Sequence, residues 1–267
     1  MTKLFVTDLD GTLLPTATQV SAANIAAVKK MVAAGITVTL ATGRMYKAAL
    51  PVAEQMGVNV PIITYNGALI KSTDGEIIHA DYIEPSLARE VLDFFRERGW
   101  YIQIYSDDNL YFVEHTAEAK GYENAQQILG HAVGEKITDY TKHVAKLLSI
   151  TSGGAETNER VKICNERFAG RIKAVRSNEN YAEIVNPNVS KAVAIKILAD
   201  KLNVAMADVA VIGDSDNDLP MLKAAGKSIA MGNAVPKVKD ACDFVTTACE
   251  EDGFAAAVNK FILSENQ

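Results

Sequence analysis

The chain has 267 residues, 48% hydrophobic and 22% charged, with a formal net charge of −6, the profile of a globular protein of one or two domains with a sizeable core. The acidic balance lacks the basic stripe that a nucleic-acid partner requires, though a metal and a few local cations can still make one pocket attractive to an anion. Cys164, Cys242 and Cys249 are odd in number and show no ligand spacing, which points to free thiols in a reducing compartment and excludes a disulfide scaffold.

The N-terminus, Met1 to Asp8, turns acidic at once and has no signal-peptide h-region. No apolar run approaches membrane-spanning length. The expectation is a cytoplasmic protein, a monomer or small homo-oligomer, with no membrane and no nucleic-acid partner. Leu4 to Thr7 reads as a short buried strand ending in Asp8-Leu9-Asp10-Gly11-Thr12. A helix is predicted from Ser21, its N-cap, to Ala34, with Ile25, Val28, Met31 and Val32 on one face and Gly35 as its stop. Ile36 to Ala41 is a second strand, closed by Thr42-Gly43-Arg44. A helix follows from Met45 to Met56, and Pro61 to Tyr65 is a third strand, closed by Asn66-Gly67. Strand–helix–strand–helix–strand implies a parallel sheet with helices on its faces.

The middle of the chain reads differently. Glu76 to Tyr82 is extended and Ser86 to Arg98 helical. Tyr101 to Tyr105 and Tyr111 to Glu114 flank the turn-like Ser106-Asp107-Asp108-Asn109, an antiparallel hairpin. A polar helix from Ala117 to Leu129, strands at 144–151, 172–177 and 181–185, and a helix near 158–168 complete an α+β insert. The first pattern then returns: a helix from Ser190 to Leu202, a buried strand at 209–212 running into Gly213-Asp214, a short helix at 220–225, a strand at 228–231 and a closing helix at 253–261. The fold class is therefore α/β, a Rossmann-like doubly wound parallel-sheet core of residues 1–81 and 188–267, interrupted by an α+β domain of residues 82–187.

Four clusters fall at strand ends or a helix start, where an open parallel sheet lines its ligand crevice. Asp8 and Asp10 stand two apart just past a strand, with Gly11 free to turn; the bland alternative is an acidic capping turn. Asp214, Asp216 and Asp218 lie within five residues after a buried strand and repel one another unless a cation sits among them. Oxygen-only ligands suit a hard ion such as Mg²⁺, and a solvated acidic loop is the alternative. Thr42-Gly43-Arg44 offers a hydroxyl and backbone N–H groups at a helix start, an anion site or an ordinary N-cap. Lys191 opens a helix, where a cation sits badly with the macrodipole, so another partner must hold it there unless it is a plain surface lysine.

Together these residues resemble the haloacid dehalogenase superfamily, specifically Cof-type phosphatases with a type-IIB cap. Asp8-Leu9-Asp10-Gly11-Thr12, Thr42-Gly43-Arg44, Lys191 and Gly213-Asp214-Ser215-Asp216-Asn217-Asp218 match its four motifs in order and spacing. Asn66-Gly67-Ala68, Met231-Gly232-Asn233-Ala234 and Glu251-Asp252-Gly253 match further subfamily signatures. Ala192 and Asn188 depart from it, standing where relatives often have Gly.

The resemblance implies a Mg²⁺-dependent phosphatase acting on phosphomonoesters of small metabolites, sugar phosphates or related compounds, through an aspartyl-phosphate intermediate. It implies Asp8 as nucleophile and Asp10 as general acid and base. Mg²⁺ falls to Asp8, the Asp10 carbonyl and Asp214, with Asp218 behind them. Phosphate oxygens fall to Thr42, the N–H groups near Leu9 and Gly43, Lys191, Asn217 and the neighbouring Arg44. Residues 82–187 become a cap that selects substrates. Two other readings use the same nucleophile: a phosphomutase, which returns the phosphoryl group to substrate, and a receiver-like signalling domain, for which Asp10 and a large insert are superfluous.

Overall fold

The computed structural model describes residues 1–15 and 18–264. Along the first segment run β1 (Leu4–Thr7), α1 (Ala22–Ala33), β2 (Thr37–Leu40), α2 (Tyr46–Met56), β3 (Ile62–Thr64), β4 (Leu69–Lys71) and β5 (Ile77–Ala80). The middle supplies α3 (Pro85–Arg96), β6 (Gln103–Ser106), β7 (Asn109–Phe112), α4 (Ala117–Gln126), β8 (His131–Ala132), β9 (Val144–Ile150), α5 (Gly154–Arg167), β10 (Lys173–Asn178) and β11 (Tyr181–Val185). The last segment supplies α6 (Lys191–Lys201), β12 (Val209–Gly213), α7 (Leu219–Ala224), β13 (Lys227–Ala230), α8 (Pro236–Lys239), β14 (Phe244–Val245) and α9 (Gly253–Ala257). The chain divides into two compact units, residues 1–79 with 190–267 and residues 80–189. Among the described residues no helix is long and apolar enough to cross a membrane.

The first unit is built on a five-stranded sheet of order β14-β13-β12-β1-β2, parallel throughout. Its middle strands, LFVT and VAVIG, are buried along their whole length. That is why they read as unbroken apolar runs: helices cover both faces of such a sheet. Parallel pairing brings the carboxyl ends of β1, β2 and β12 to one edge, since Thr7 pairs with both Leu40 and Ile212.

Two details of the periodicity reading are corrected. β3 does not extend this sheet. It runs parallel beside β2, through the bridge Ala41–Ile63, the Thr42 N–H to the Ile63 carbonyl and the Thr39 hydroxyl to the Pro61 carbonyl, but its continuous ladder is antiparallel, in a three-stranded sheet of order β3-β4-β5; β4, only three residues long, leaves almost no periodic signal. In α1 the buried face is Asn24, Ala27, Val28 and Met31, while Val32 is 56% exposed. Asn24 earns its burial by donating to the Leu13 carbonyl and accepting from the Ala255 N–H, bonds that hydropathy cannot register.

The second unit carries a six-stranded sheet of order β10-β11-β9-β6-β7-β8. One face packs α3 and α5 into an apolar core that includes Val91, Phe95, Ile104, Leu147, Phe168 and Ile184. The β6–β7 hairpin turns through Asp107 and Asp108, at φ 49° and 56°. Two positive φ values are what a two-residue type I′ turn demands, and Asp tolerates them better than most residues.

Candidate active site

Each chemically loaded segment leaves a strand of the first unit at the same edge. After β1 the chain passes Asp8, Leu9 and Asp10 and turns at Gly11, φ +76°. A side chain there would be strained, and its Cβ would stand 2.7 Å from Asp214 Oδ2. β12 ends on Gly213, where a Cβ would lie 2.7 Å from the Asp218 carboxyl carbon. The two glycines are thus the room that lets two acidic loops close on one point.

Asp8, Asp214 and Asp218 each bring a carboxylate oxygen within 4.8 Å of the others. Lys191, the first residue of α6, lies fully buried between two of them, its Nζ 2.5 Å from Asp8 Oδ1 and 2.6 Å from Asp218 Oδ1. This is the partner that holds a cation at the positive end of a helix. The other Asp218 oxygen accepts from the N–H groups of Asp214 and Ser215. Asp218 is therefore committed to fixing its own loop and Lys191. Asp216 is not part of the cluster; it is exposed and 3.5 Å from Lys237.

The electrostatics follow from burial. Asp8 is pushed well above the usual carboxylate range by desolvation, which Lys191 only partly offsets while Asp218, Asp214 and Asp10 add repulsion. Asp214 is pushed up to about 7 by desolvation and the Asp218 charge, against the hydrogen bond from Thr12. Burial works against the Lys191 ammonium too, but Asp218 and Asp8 outweigh it and hold its pKa above the ordinary lysine value. A buried site with three carboxylates and one ammonium has excess negative charge. An all-oxygen donor set in that state fits a hard divalent cation.

Around this centre stand the remaining expected residues. The Thr42 hydroxyl accepts from the Arg44 N–H at 3.1 Å. Thr42 does not cap α2, whose N-cap is Met45; the intervening turn aims the Thr42-Gly43-Arg44 backbone instead. The Arg44 guanidinium forks onto Asp10, Nε to Oδ2 at 2.9 Å and Nη2 to Oδ1 at 2.5 Å. That carboxylate is half exposed whereas the Arg44 side chain is buried. Leu9 is fully buried, and its carbonyl accepts from the Leu13 and Leu14 N–H groups, closing the turn after Asp8. Asn217 donates to Asn66 Oδ1 at 2.9 Å.

Three contributors went unrecognised from spacing alone. Thr12 donates to Asp214 Oδ1 at 2.8 Å. Asn66, at φ 58°, anchors Asn217. Asn233 donates to the Gly11 carbonyl and accepts from the Cys249 N–H, tying down the turn after Asp10. Their only sequence signal was membership of the motifs.

The family model described as haloacid dehalogenase-like hydrolase matches residues 5–258. Phosphatase YwpJ of Bacillus subtilis strain 168 is 30% identical over 95% of this chain and 97% of its own. From the same organism, 5-amino-6-(5-phospho-D-ribitylamino)uracil phosphatase YwtE is 28% identical over 98% of this chain and 99% of its own. Among solved structures, TM0651 from Thermotoga maritima superposes with a TM-score of 0.85 at 30% identity, covering 98% of both chains.

Proposed function

The chain belongs to the haloacid dehalogenase-like hydrolases, as a phosphatase of Cof type, and from that premise we propose that it hydrolyses small phosphomonoesters with Mg²⁺ through an aspartyl phosphate on Asp8. The observation that carries this reading is the crowding of Asp8, Asp214 and Asp218 around one buried ammonium.

In this reading Asp8, the Asp10 carbonyl and Asp214 hold the metal. Bound there, Mg²⁺ shields the attacking carboxylate from an anionic phosphoryl group. Lys191 spreads positive charge over Asp8 and the phosphate beside it. Thr42, the N–H groups near Leu9 and Gly43, and Asn217 take phosphate oxygens. The Asp8 carboxylate attacks phosphorus as the P–O bond to the leaving group breaks. Asp10 gives that oxygen its proton, then takes one from the water that cleaves the Asp8 acyl phosphate. The Arg44 fork holds Asp10 in place for both transfers. Residues 1–81 and 188–267 act as the catalytic core, and choice among substrates falls to residues 82–187. YwtE's substrate is a phosphorylated ribitylamino-uracil, and sugar phosphates or related metabolites are the class proposed here.

The test is a single-turnover acid quench with ³²P-labelled phosphomonoester and Mg²⁺. With an aryl phosphate, whose leaving group needs no proton from Asp10, label should stay on the wild-type protein transiently and accumulate in Asp10→Asn, whose acyl phosphate lacks its base. Asp8→Asn should carry none. Label on Asp8→Asn, or turnover that survives chelation of divalent cations, would overturn the assignment.

A further inference from the structure

The second unit has a cleft of about 730 Å³ where β6 begins and β9 ends, lined entirely by residues between 96 and 160. It opens beside Ile150 and Thr151, a strand's length (roughly 20 Å) from Val144, to which Ile83 is bridged as the chain enters this unit. Arg160 forms its inner wall with only 8% of its side chain exposed. Nη1 donates to Ser149 Oγ at 2.6 Å and Nη2 to Glu156, and the guanidinium lies 5.0 Å from the Trp100 ring centroid. Its Nε is buried and has no acceptor. A buried donor left in this state is destabilising and calls for an explanation. Nε and Nη2 form the edge of a guanidinium that takes a carboxylate in two parallel bonds, and here only the Nη2 half is engaged.

The other charges of the cleft sort themselves. Glu156 pairs with Arg160 and Glu135 with Arg96. What remains is Glu114 and Glu118, both exposed, with no hydrogen bond or ion pair to either carboxylate among the described residues. Glu118 faces the cleft floor closely enough that, after burial, it is the next cause raising the Tyr101 phenol pKa. The unmet Arg160 Nε and the two unpaired carboxylates line one cleft and match a small molecule that carries both a carboxylate and an ammonium. We propose that this cleft binds a small zwitterion of the α-amino-acid type, its carboxylate on Arg160 and its ammonium between Glu114 and Glu118. The site holds none of the groups assigned to phosphoryl transfer, so it is a second binding site.

Trp100 is the only tryptophan of the chain, so its emission reports on this cleft in the full-length protein. Each common L-amino acid is titrated singly to about 10 mM, and the best is compared with its N-acetyl and decarboxylated analogues. At least one amino acid should give a saturable change with Kd at or below ~1 mM. Removing either charged end should weaken it at least ~10-fold, as loss of a charge-assisted contact implies. Glu114→Gln/Glu118→Gln alters only exposed side chains and should have the same effect, as should Arg160→Lys, which keeps the charge and loses the fork. Asp8→Asn should bind as wild type does, which separates this site from the phosphatase reading. No saturable change with any amino acid, equal binding of the end-blocked analogues, unaltered binding by the double variant, or loss of binding in Asp8→Asn would each overturn the proposal.

Discussion

Both units bury a lysine, and the two lysines live under opposite electrostatic terms. In the insert, Lys146 and Glu183 are 1% and 4% exposed and meet at 3.0 Å. The Lys146 ammonium also lies 4.9 Å from the Tyr105 ring centroid. Beside them Tyr101 donates to Gln103, and Gln103 to Tyr105. Here a buried cation and a buried anion meet directly, within a network of hydrogen-bonded polar side chains. In the first unit Lys191 faces Asp8 and Asp218 with Asp214 close by. Burial alone therefore does not distinguish a functional lysine from a structural one. What distinguishes them is whether the charges around it balance, because an unbalanced buried charge is tolerated only where a ligand completes it.

The sharpest way to break this comparison is to neutralise one acid in each place. Asp8→Asn removes the proposed nucleophile and should lower kcat by at least ~10³-fold, yet leave the metal-free protein as stable as wild type or more so, because one repelling charge is gone. Glu183→Gln removes the anion that meets the Lys146 ammonium at 3.0 Å and should destabilise by about 3–5 kcal/mol. Phosphate release and urea unfolding measure the two. Stability changes of the same sign in both variants would mean that the catalytic cluster is balanced after all.

Removing the lysines instead inverts the roles. Lys191→Met should lower kcat by about 10²–10³-fold, the scale of losing one charge-stabilising contact in a transition state. It should also destabilise the metal-free protein, and saturating Mg²⁺ should restore part of that loss, because the cation supplies the missing charge. Lys146→Met should destabilise by about 3–5 kcal/mol with no restoration by Mg²⁺. Thermal melts with and without the metal decide it.

The contrast also explains what was legible in the sequence. Asp8, Asp10, Asp214 and Lys191 stood out because strand ends and a helix start are poor places for charge unless something else is there to meet it. The parallel sheet was legible because buried strands such as Val209 to Ile212 carry unbroken apolar runs. Lys146 and Glu183 were invisible: their strands look amphipathic, and nothing local says that the polar face is buried. Asn24, Thr12 and Asn233 escaped for a related reason. Each works through partners more than ten residues away, and a single hydroxyl or amide has no periodicity. The antiparallel pairing of β3 and β4 is likewise a property of the folded chain, with too few residues to announce itself.

The smallest effect separates the two units by pH. In the metal-free protein Asp214, pushed up to about 7 by burial and the Asp218 charge, holds its proton after an unfolded aspartate has lost it at about pH 4. Between those values the folded state binds more protons than the unfolded one, so stability falls as pH rises, by roughly 1.4 kcal/mol for each pH unit between them. Asp8, shifted in the same direction, adds to the fall. The insert slopes the other way. Glu156 is held below the usual carboxylate range by the Ser152 N–H and hydroxyl, and the charge of Arg160 reinforces them. Its contribution is present above the unfolded glutamate value and is lost as pH drops through the lowered one. Denaturant midpoints followed from about pH 2.5 to 8 should therefore fall above about pH 4 in the absence of metal. Asp214→Asn should flatten that fall, and Glu156→Gln should leave it in place while removing the loss on the acid side. With Mg²⁺ the slope should reverse, since the metal binds only ionised carboxylates and its stabilisation grows as they lose their protons. A metal-free protein whose stability climbs steadily from pH 4 to 7, as the ordinary paired carboxylate requires, would show that Asp8 and Asp214 ionise as readily in the folded protein as in the unfolded one, and that their burial and mutual repulsion carry no cost.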